Sequence, residues 1–389
     1  MDEIKVAVVG VGNMGSAHFR CIYKNEIKNM SVVAACDIND RITDFLKRTY
    51  RDINVYNDYD KMLENSDINA VIIATPHPYH CEMAIKALKK SKHVLVEKPI
   101  DISISRAQHL NEIAETKGKV FAIMFNQRTN RLFAYAKDLV ESGELGELKR
   151  SIWIVTNWYR TQAYYNSGGW RATWAGEGGG VLLNQAPHNL DLWQWICGMP
   201  KSVTAYCNVA KYHNIEVEDE ATIYTEYENG ATGVFITSTG DYPGTNRFEI
   251  SGTKGKLIIE NGVLKLWNLK EDERDVCLSS NEEFVGIEKE YSEYTFEKET
   301  AHKGILQNFT NAILYGEKLI APGIDGINEL TISNAAYLSS WQNNKKITIP
   351  FDIYEFDYFL NNKINNSNIK NSNFQIPSGQ YNSRWNVRW

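Results

Sequence analysis

Directly after the apolar run Ile4–Val9 the chain reads Gly10-Val11-Gly12-Asn13-Met14-Gly15 and then turns helical. Glycines spaced G-x-G-x-x-G between a strand and a helix narrow the choice of fold more than any other stretch. They permit a tight turn and close backbone approach, and they leave the first N–H groups of the helix pointing above the strand end. The alternation continues through residue 125. Strands are expected at 31–36, 70–74, 93–96 and 120–124, and helices at 14–24, 39–50, 80–90 and 103–116. Short apolar strands between helices predict a parallel sheet covered on both faces. Right-handed crossovers then place ligands at the carboxyl ends of its strands.

A dinucleotide suits this turn. Gly10, Gly12, Asn13, Met14 and Gly15 would face the pyrophosphate. Asp37 closes the second strand, about 20 residues past the last glycine, where a carboxylate accepts hydrogen bonds from the ribose hydroxyls. That carboxylate would repel a 2′-phosphate, so NAD is expected, with NADP possible because Arg41 lies close by. Thr75 and Pro76 follow the third buried strand, and His80 begins the next helix. The prolines at 76 and 78 make a rigid wall for a nicotinamide, with His80 orienting the loop. Glu97-Lys98-Pro99 stands at the end of the strand His93–Val96. A lysine there is either a surface residue or a charge placed to polarise a reacting oxygen.

Beyond residue 125 the pattern changes. A helix at 130–142 precedes strands expected at 149–159, 202–210, 221–228, 232–238, 247–251 and 256–260, many alternating apolar and polar residues. Asn229-Gly230 marks a hairpin, and two late helices are expected at 302–315 and 326–342. The expected fold is an N-terminal doubly wound Rossmann domain (1–125) and a C-terminal domain (126–389) on a large, mainly antiparallel sheet. Residues 361–376 read as a mobile segment, and 383–389, with two tryptophans, as a docked end. No internal repeat is visible.

Gly178-Gly179-Gly180 opens the stretch that ends Asn184-Gln185-Ala186-Pro187-His188-Asn189-Leu190-Asp191. A helix over 184–191 would put Asn184, His188 and Asp191 on one face. His188 is then a proton acceptor or a structural residue, and Asp191 either orients it or favours the helix start. Aromatic residues crowd the stretch from Trp153 to Trp195, suited to sugar rings or to a core.

The bulk numbers exclude other classes. A net charge of −6 offers no excess basic surface for nucleic acid. Six cysteines without a C-x-x-C pair read as reduced core thiols, and neither they nor His77 and His80 make a metal site. The start of the chain lacks signal-peptide order, and no apolar run reaches membrane-spanning length, so a cytoplasmic protein without a membrane partner is expected.

Taken in order, G-x-G-x-x-G (10–15), T-P-x-x-x-H (75–80), K-H-V-L-V-E-K-P (92–99) and G-G-G-x-L-x-N-x-x-x-H-x-x-D (178–191) resemble the Gfo/Idh/MocA family. The resemblance implies Lys98 and His188 as catalytic residues. It places Trp170 and Arg171, with Glu97, beside the nicotinamide. The family's Asp-x-x-x-His becomes Asn184-x-x-x-His188 here, and an amide cannot accept a proton, so His188 or another group must carry that work. Arg128 and Tyr159 join Lys98, Asn184 and His188 as substrate-facing candidates, with Trp158, Arg160 and Tyr164 nearby. The implied activity is NAD-dependent hydride transfer at a secondary hydroxyl or ketone of a sugar, glycoside or cyclitol. The alternative is a glycosidase that uses NAD for transient oxidation and elimination. A homodimer or homotetramer is also implied.

Overall fold

The computed structural model describes residues 2–297 and 299–367. Six parallel strands make the first sheet: β1 (Ile4–Val9), β2 (Met30–Cys36), β3 (Asn54–Tyr56), β4 (Ala70–Ile73), β5 (His93–Val96) and β6 (Phe121–Ile123). Their spatial order is β3-β2-β1-β4-β5-β6. Every residue of β4 and β6 is buried, as cover on both faces of the sheet requires. The order reverses between β1 and β4, which opens a crevice at their carboxyl ends.

Register sets what lies along that crevice. Val9 pairs with Cys36 and Ile73, Ile73 with Val96, and Val96 with Ile123. The next residue of each strand therefore falls in one row: Asp37, Gly10, Ala74, Glu97 and Met124. Backbone bonds extend the ladder into this row, from Gly10 N–H to Cys36 O at 2.9 Å and from Glu97 N–H to Ile73 O at 2.8 Å. A one-residue slip would turn every functional turn away from its neighbours.

The second sheet holds nine strands: β7 (Leu148–Val155), β8 (Ser202–Val209), β9 (Glu218–Glu226), β10 (Thr232–Ser238), β11 (Asn246–Gly252), β12 (Gly255–Glu260), β13 (Val263–Leu269), β14 (Lys289–Tyr294) and β15 (Ile347–Thr348). They run in the order β14-β13-β12-β11-β7-β10-β9-β8-β15, antiparallel except where β7 meets β10. Gly230, at φ +83°, turns the chain between β9 and β10, a conformation that glycine adopts without strain.

One face of this sheet carries the core. Trp153 stacks on Phe248 with ring centroids 4.3 Å apart and meets Phe235 edge-on. Trp193 stacks on Phe235 and donates its indole N–H to Ser151 at 2.8 Å. The helix Pro187–Cys197 is thereby fixed to the sheet. It is buried on nearly all sides because helices 131–141 and 326–341 cover it as well. The two halves of the chain also meet directly: Ile123 N–H donates to Ala321 O at 3.1 Å, and a Cβ on Gly326 would stand 2.8 Å from Ile100.

Several details differ from the sequence reading. Strands β3, β13, β14 and β15 were not expected. Residues 361–365, read as part of a mobile segment, are the end of the helix Ile353–Asn365, capped at its start by the Asp352 carboxylate. The remainder of that segment beyond 367, and the end at 383–389, lie outside the described residues. Cys277 is exposed rather than in the core. No helix among the described residues is long and apolar enough to cross a membrane.

Candidate active site

The glycine turn shows what each of its glycines is for. Gly10 sits at φ +78°, and a Cβ on it would lie 2.7 Å from Ala74 O. A Cβ on Gly15 would meet Gly10 O at 1.9 Å. Nothing in the protein lies within 4 Å of the Cβ that Gly12 lacks. Gly12 is also the N-cap of the helix Asn13–Tyr23, whose end has no side-chain cap. That leaves unpaired N–H groups and open room together, as a pyrophosphate requires. Asp37 stands where expected: its carboxylate accepts from Val11 N–H at 2.8 Å and from Asn39 N–H at 2.9 Å, which ties the end of β2 to the glycine turn. These features fit a dinucleotide.

The loop after β4 is built rigidly. Both nitrogens of His80 face backbone carbonyls, Thr75 O at 2.7 Å and Pro99 O at 2.8 Å. His80 is 1% exposed. It clamps the loops after β4 and β5 together. The neighbouring His77 brings its Nδ1 to 3.0 Å from Glu177 O and meets Trp170 edge-on, so the loop leans on the second half of the chain.

Glu97 is held within the protein as well. Its carboxylate turns inward, 2.7 Å from His18 Nε2, and accepts from the Lys98 N–H at 3.2 Å. Burial works to raise the Glu97 carboxyl. The hydrogen bond and charge of His18, aided by His302 and Lys98, outweigh burial and bring it down to about 2. An ionised Glu97 thus stands next to Lys98 and favours its charged form.

Lys98 reaches across to the second half of the chain and donates from Nζ to Asn184 O at 2.8 Å. Burial lowers its proton affinity, partly offset by Glu97, Glu329 and Glu177. Asn184 is not on the helix of His188. It ends the short helix Val181–Asn184, and a new helix begins at Pro187, whose missing N–H suits that position. The break leaves Asn184 and His188 on consecutive helices above Lys98. His188 is 9% exposed. Burial, reinforced by Lys98 and His302, pushes its imidazole well below the usual value, so it is neutral at neutral pH. A neutral imidazole beside an ammonium can take a proton while the ammonium steadies the oxygen left behind.

Two expected substrate contacts do not reach this cluster. The Arg128 guanidinium is bidentate on Asp191, at 2.9 and 2.7 Å, and its third nitrogen donates to Asp325 at 2.7 Å. It is buried, with Phe125 and Trp195 across its faces. Arg128 therefore braces the His188 helix, and Asp191 serves that brace instead of orienting His188. Tyr159 is 46% exposed and packs on Tyr242. No hydrogen bond or ring contact among the described residues joins it to Lys98, Asn184 or His188. Trp170 and Arg171 do stand close: Arg171 lies over the Tyr164 and Trp170 rings and 3.7 Å from Glu177.

Sequence reasoning missed three buried carboxyls. Glu177 accepts from Ala172 N–H at 2.6 Å and from the Asn184 amide. Glu218 accepts from Gly180 N–H and Leu182 N–H, each at 2.9 Å, and from Tyr337 OH at 2.7 Å. Glu329, fully buried on the helix Gly326–Trp341, has neither oxygen hydrogen-bonded among the described residues. For Glu177, a charged residue inside the run Gly176-Glu177-Gly178-Gly179-Gly180 was an available signal. For the other two, strand and helix patterns offered none. A cavity of about 280 Å³ on the nine-stranded sheet, lined by Lys149, Lys256 and Trp267 among others, shares no residue with this cluster.

Comparison with known proteins accords with this arrangement. Residues 4–125 match the oxidoreductase family with an NAD-binding Rossmann fold, and residues 133–258 match the GFO/IDH/MocA C-terminal domain. An uncharacterized oxidoreductase of Schizosaccharomyces pombe is 30% identical over 66% of this chain and 71% of its own length. The scyllo-inositol 2-dehydrogenase (NAD(+)) of Bacillus subtilis is 24% identical over 89% of this chain and 96% of its own. Among solved structures, the WlbA dehydrogenase of Chromobacterium violaceum, in complex with NADH and UDP-GlcNAcA, superposes with a TM-score of 0.76. It is 25% identical and covers 90% of this chain and 97% of its own. The shared order of glycine turn, strand-end lysine and second, mixed sheet leads to one conclusion: this chain belongs to the Gfo/Idh/MocA family of oxidoreductases and carries that family's NAD-binding Rossmann domain.

Proposed function

We propose that the chain is an NAD-dependent dehydrogenase acting on a secondary hydroxyl, or in reverse a ketone, of a sugar, glycoside or cyclitol. One observation supports the reading: the strand-end ammonium of Lys98 donates across to Asn184 O in the other half of the chain, and its charge helps keep the buried imidazole of His188 neutral. Bound nicotinamide would supply the electron-pair acceptor. His188 takes the hydroxyl proton. Lys98, held in aim by Asn184 O, stabilises the negative charge that develops on the oxygen. The Asn184 amide oxygen accepts a hydrogen bond from the hydroxyl without taking its proton. Asp37 supports NAD over NADP, because a carboxylate held by Val11 and Asn39 repels a 2′-phosphate. Relatives that act on an inositol support the substrate class.

A homodimer or homotetramer is part of this reading. Tyr206 and Tyr224 are exposed on one face of neighbouring strands of the nine-stranded sheet, large rings suited to packing on a second copy. Assays with NAD and scyllo-inositol, myo-inositol, levoglucosan and glucose, followed by NADH absorbance, test the activity. Turnover of at least one sugar or cyclitol with stoichiometric NADH is expected. Release of product without net NADH, or no turnover across a broad panel, would overturn it.

A further inference from the structure

Glu177 has no place in the chemistry so far, yet three segments of the chain converge on it. Its Oε2 accepts from Ala172 N–H at 2.6 Å, and its Oε1 accepts from Asn184 Nδ2. Arg171 Nη1 stands 3.7 Å from Oε1, and the Glu177 carbonyl accepts from the ring of His77, on the loop after β4. The side chain is 2% exposed. A purely structural carboxylate would do better nearer water, since burying it costs several kcal/mol unless it is fully paired.

The consequence lies in Asn184. An amide has one acceptor oxygen and two N–H donors. While Glu177 is ionised, only the donor end of Asn184 can face it, because the oxygen would meet a carboxylate lone pair. The other end, Oδ1, is then free to face a hydroxyl bound against Lys98 and His188. A protonated Glu177 reverses the rule: its O–H can donate to Oδ1, and the amide can turn its NH₂ outward. We infer that Glu177 is a positioning residue whose ionisation decides whether Asn184 offers the substrate an acceptor or a donor. The inference rests on the proposed function only in taking the substrate to be a hydroxyl compound.

The groups facing Glu177 make the switch operate near neutrality. Burial pushes its carboxyl up to about 7, against the opposing effects of Arg171, the Ala172 N–H and Lys98. The remaining titratable neighbours are Tyr165, whose phenol feels the Glu177 charge, and His77, which burial keeps neutral. Neither changes charge across the neutral range. Glu177 is thus the group here that does.

The test needs no substrate. In the full-length, cofactor-free protein labelled with ¹⁵N-asparagine, the Asn184 side-chain amide resonance is identified by its loss in Asn184→Asp. It should shift with pH around a midpoint near 7 in the wild type and stay fixed in Glu177→Gln. An amide resonance that does not move across neutral pH in the wild type overturns the inference, as does the same titration in Glu177→Gln. The wild-type titration alone decides if the variant fails to fold. With a sugar that turns over, KM should rise about tenfold below the midpoint in wild type, one hydrogen bond's worth, while kcat changes little. Glu177→Gln should abolish that pH dependence of KM. A variant that lowers kcat uniformly while keeping the KM profile contradicts it. Failure to find any substrate counts against the dehydrogenase reading and leaves the amide titration to judge this one.

Discussion

The molecule has two glycine-rich turns, and they are built for opposite reasons. At residues 178–180 each missing Cβ would strike the protein itself. Gly178 would meet Ile102 at 2.3 Å, Gly179 the Tyr337 hydroxyl at 2.1 Å, and Gly180 the Glu218 carbonyl at 1.9 Å. At residues 10–15 the outer glycines are packed in the same way, but Gly12 faces nothing within 4 Å. Gly12 has an ordinary φ of −72°, so unlike the open glycine of the hairpin at Gly230 it is not called for by a left-handed backbone, and its clear side suits close approach of a ligand. Of the hemmed-in glycines, Gly178 lies against Ile102 of the other half of the chain, while Gly179 and Gly180 pack the short helix that follows onto Tyr337 and Glu218. The first turn is therefore a ligand site, and the second is the joint that brings Asn184 and His188 over Lys98.

That contrast predicts where damage should appear. Replacing Arg128 by Ala should hurt the joint most. It leaves the buried Asp191 carboxylate of the His188 helix without its counter-charge, a loss of about 3–5 kcal/mol in unfolding free energy measured with urea. A loss below about 1 kcal/mol would mean the brace is not structural. Gly180→Ala should cost about 1–3 kcal/mol by the same measurement, since a backbone carbonyl cannot step aside.

Glu218 gives the joint a pH signature. Burial pushes its carboxyl up to about 7 from an ordinary 4.5, against hydrogen bonds from Leu182, Tyr337 and Gly180 that pull it down. The folded state then holds its proton where the unfolded chain has lost it. Its contribution to stability is intact below the unfolded value and falls as pH rises toward the folded one. The slope approaches about 1.4 kcal/mol per pH unit from this group. Glu218→Gln should flatten the fall, and an unchanged slope would clear Glu218 of the effect. The smallest stability change belongs to Gly12→Ala, within about 0.5 kcal/mol, yet NAD affinity should drop at least tenfold by calorimetry. Unchanged affinity would show that Gly12's open space is not used.

The same contrast explains what the sequence made legible. The strands β1, β5 and β10 were read with their observed bounds, because apolar runs between turn residues leave little choice. Strand β3 is three residues at a sheet edge, too short for periodicity to show. Strand β14, Lys289–Tyr294, is charged and largely exposed, so it pairs through its backbone while its side chains read as loop. In the site, Lys98 and His188 stood out because chemistry-bearing residues at strand ends and helix starts are few. Asp191 misled because helical spacing shows which residues share a face but not which partner lies across it. That partner, Arg128, comes from the turn after β6. Glu218 and Glu329 were missed because their burial depends on packing between segments far apart in sequence.

The central proposal is that Lys98 acts on the reacting oxygen and is not needed to hold the dinucleotide. Lys98→Met separates the two in one protein. Turnover of whichever sugar or cyclitol the assay identifies should fall at least about a hundredfold, with NAD affinity, measured by calorimetry, unchanged within about threefold. Near-normal turnover in that variant would contradict the account, and so would NAD binding lost together with turnover.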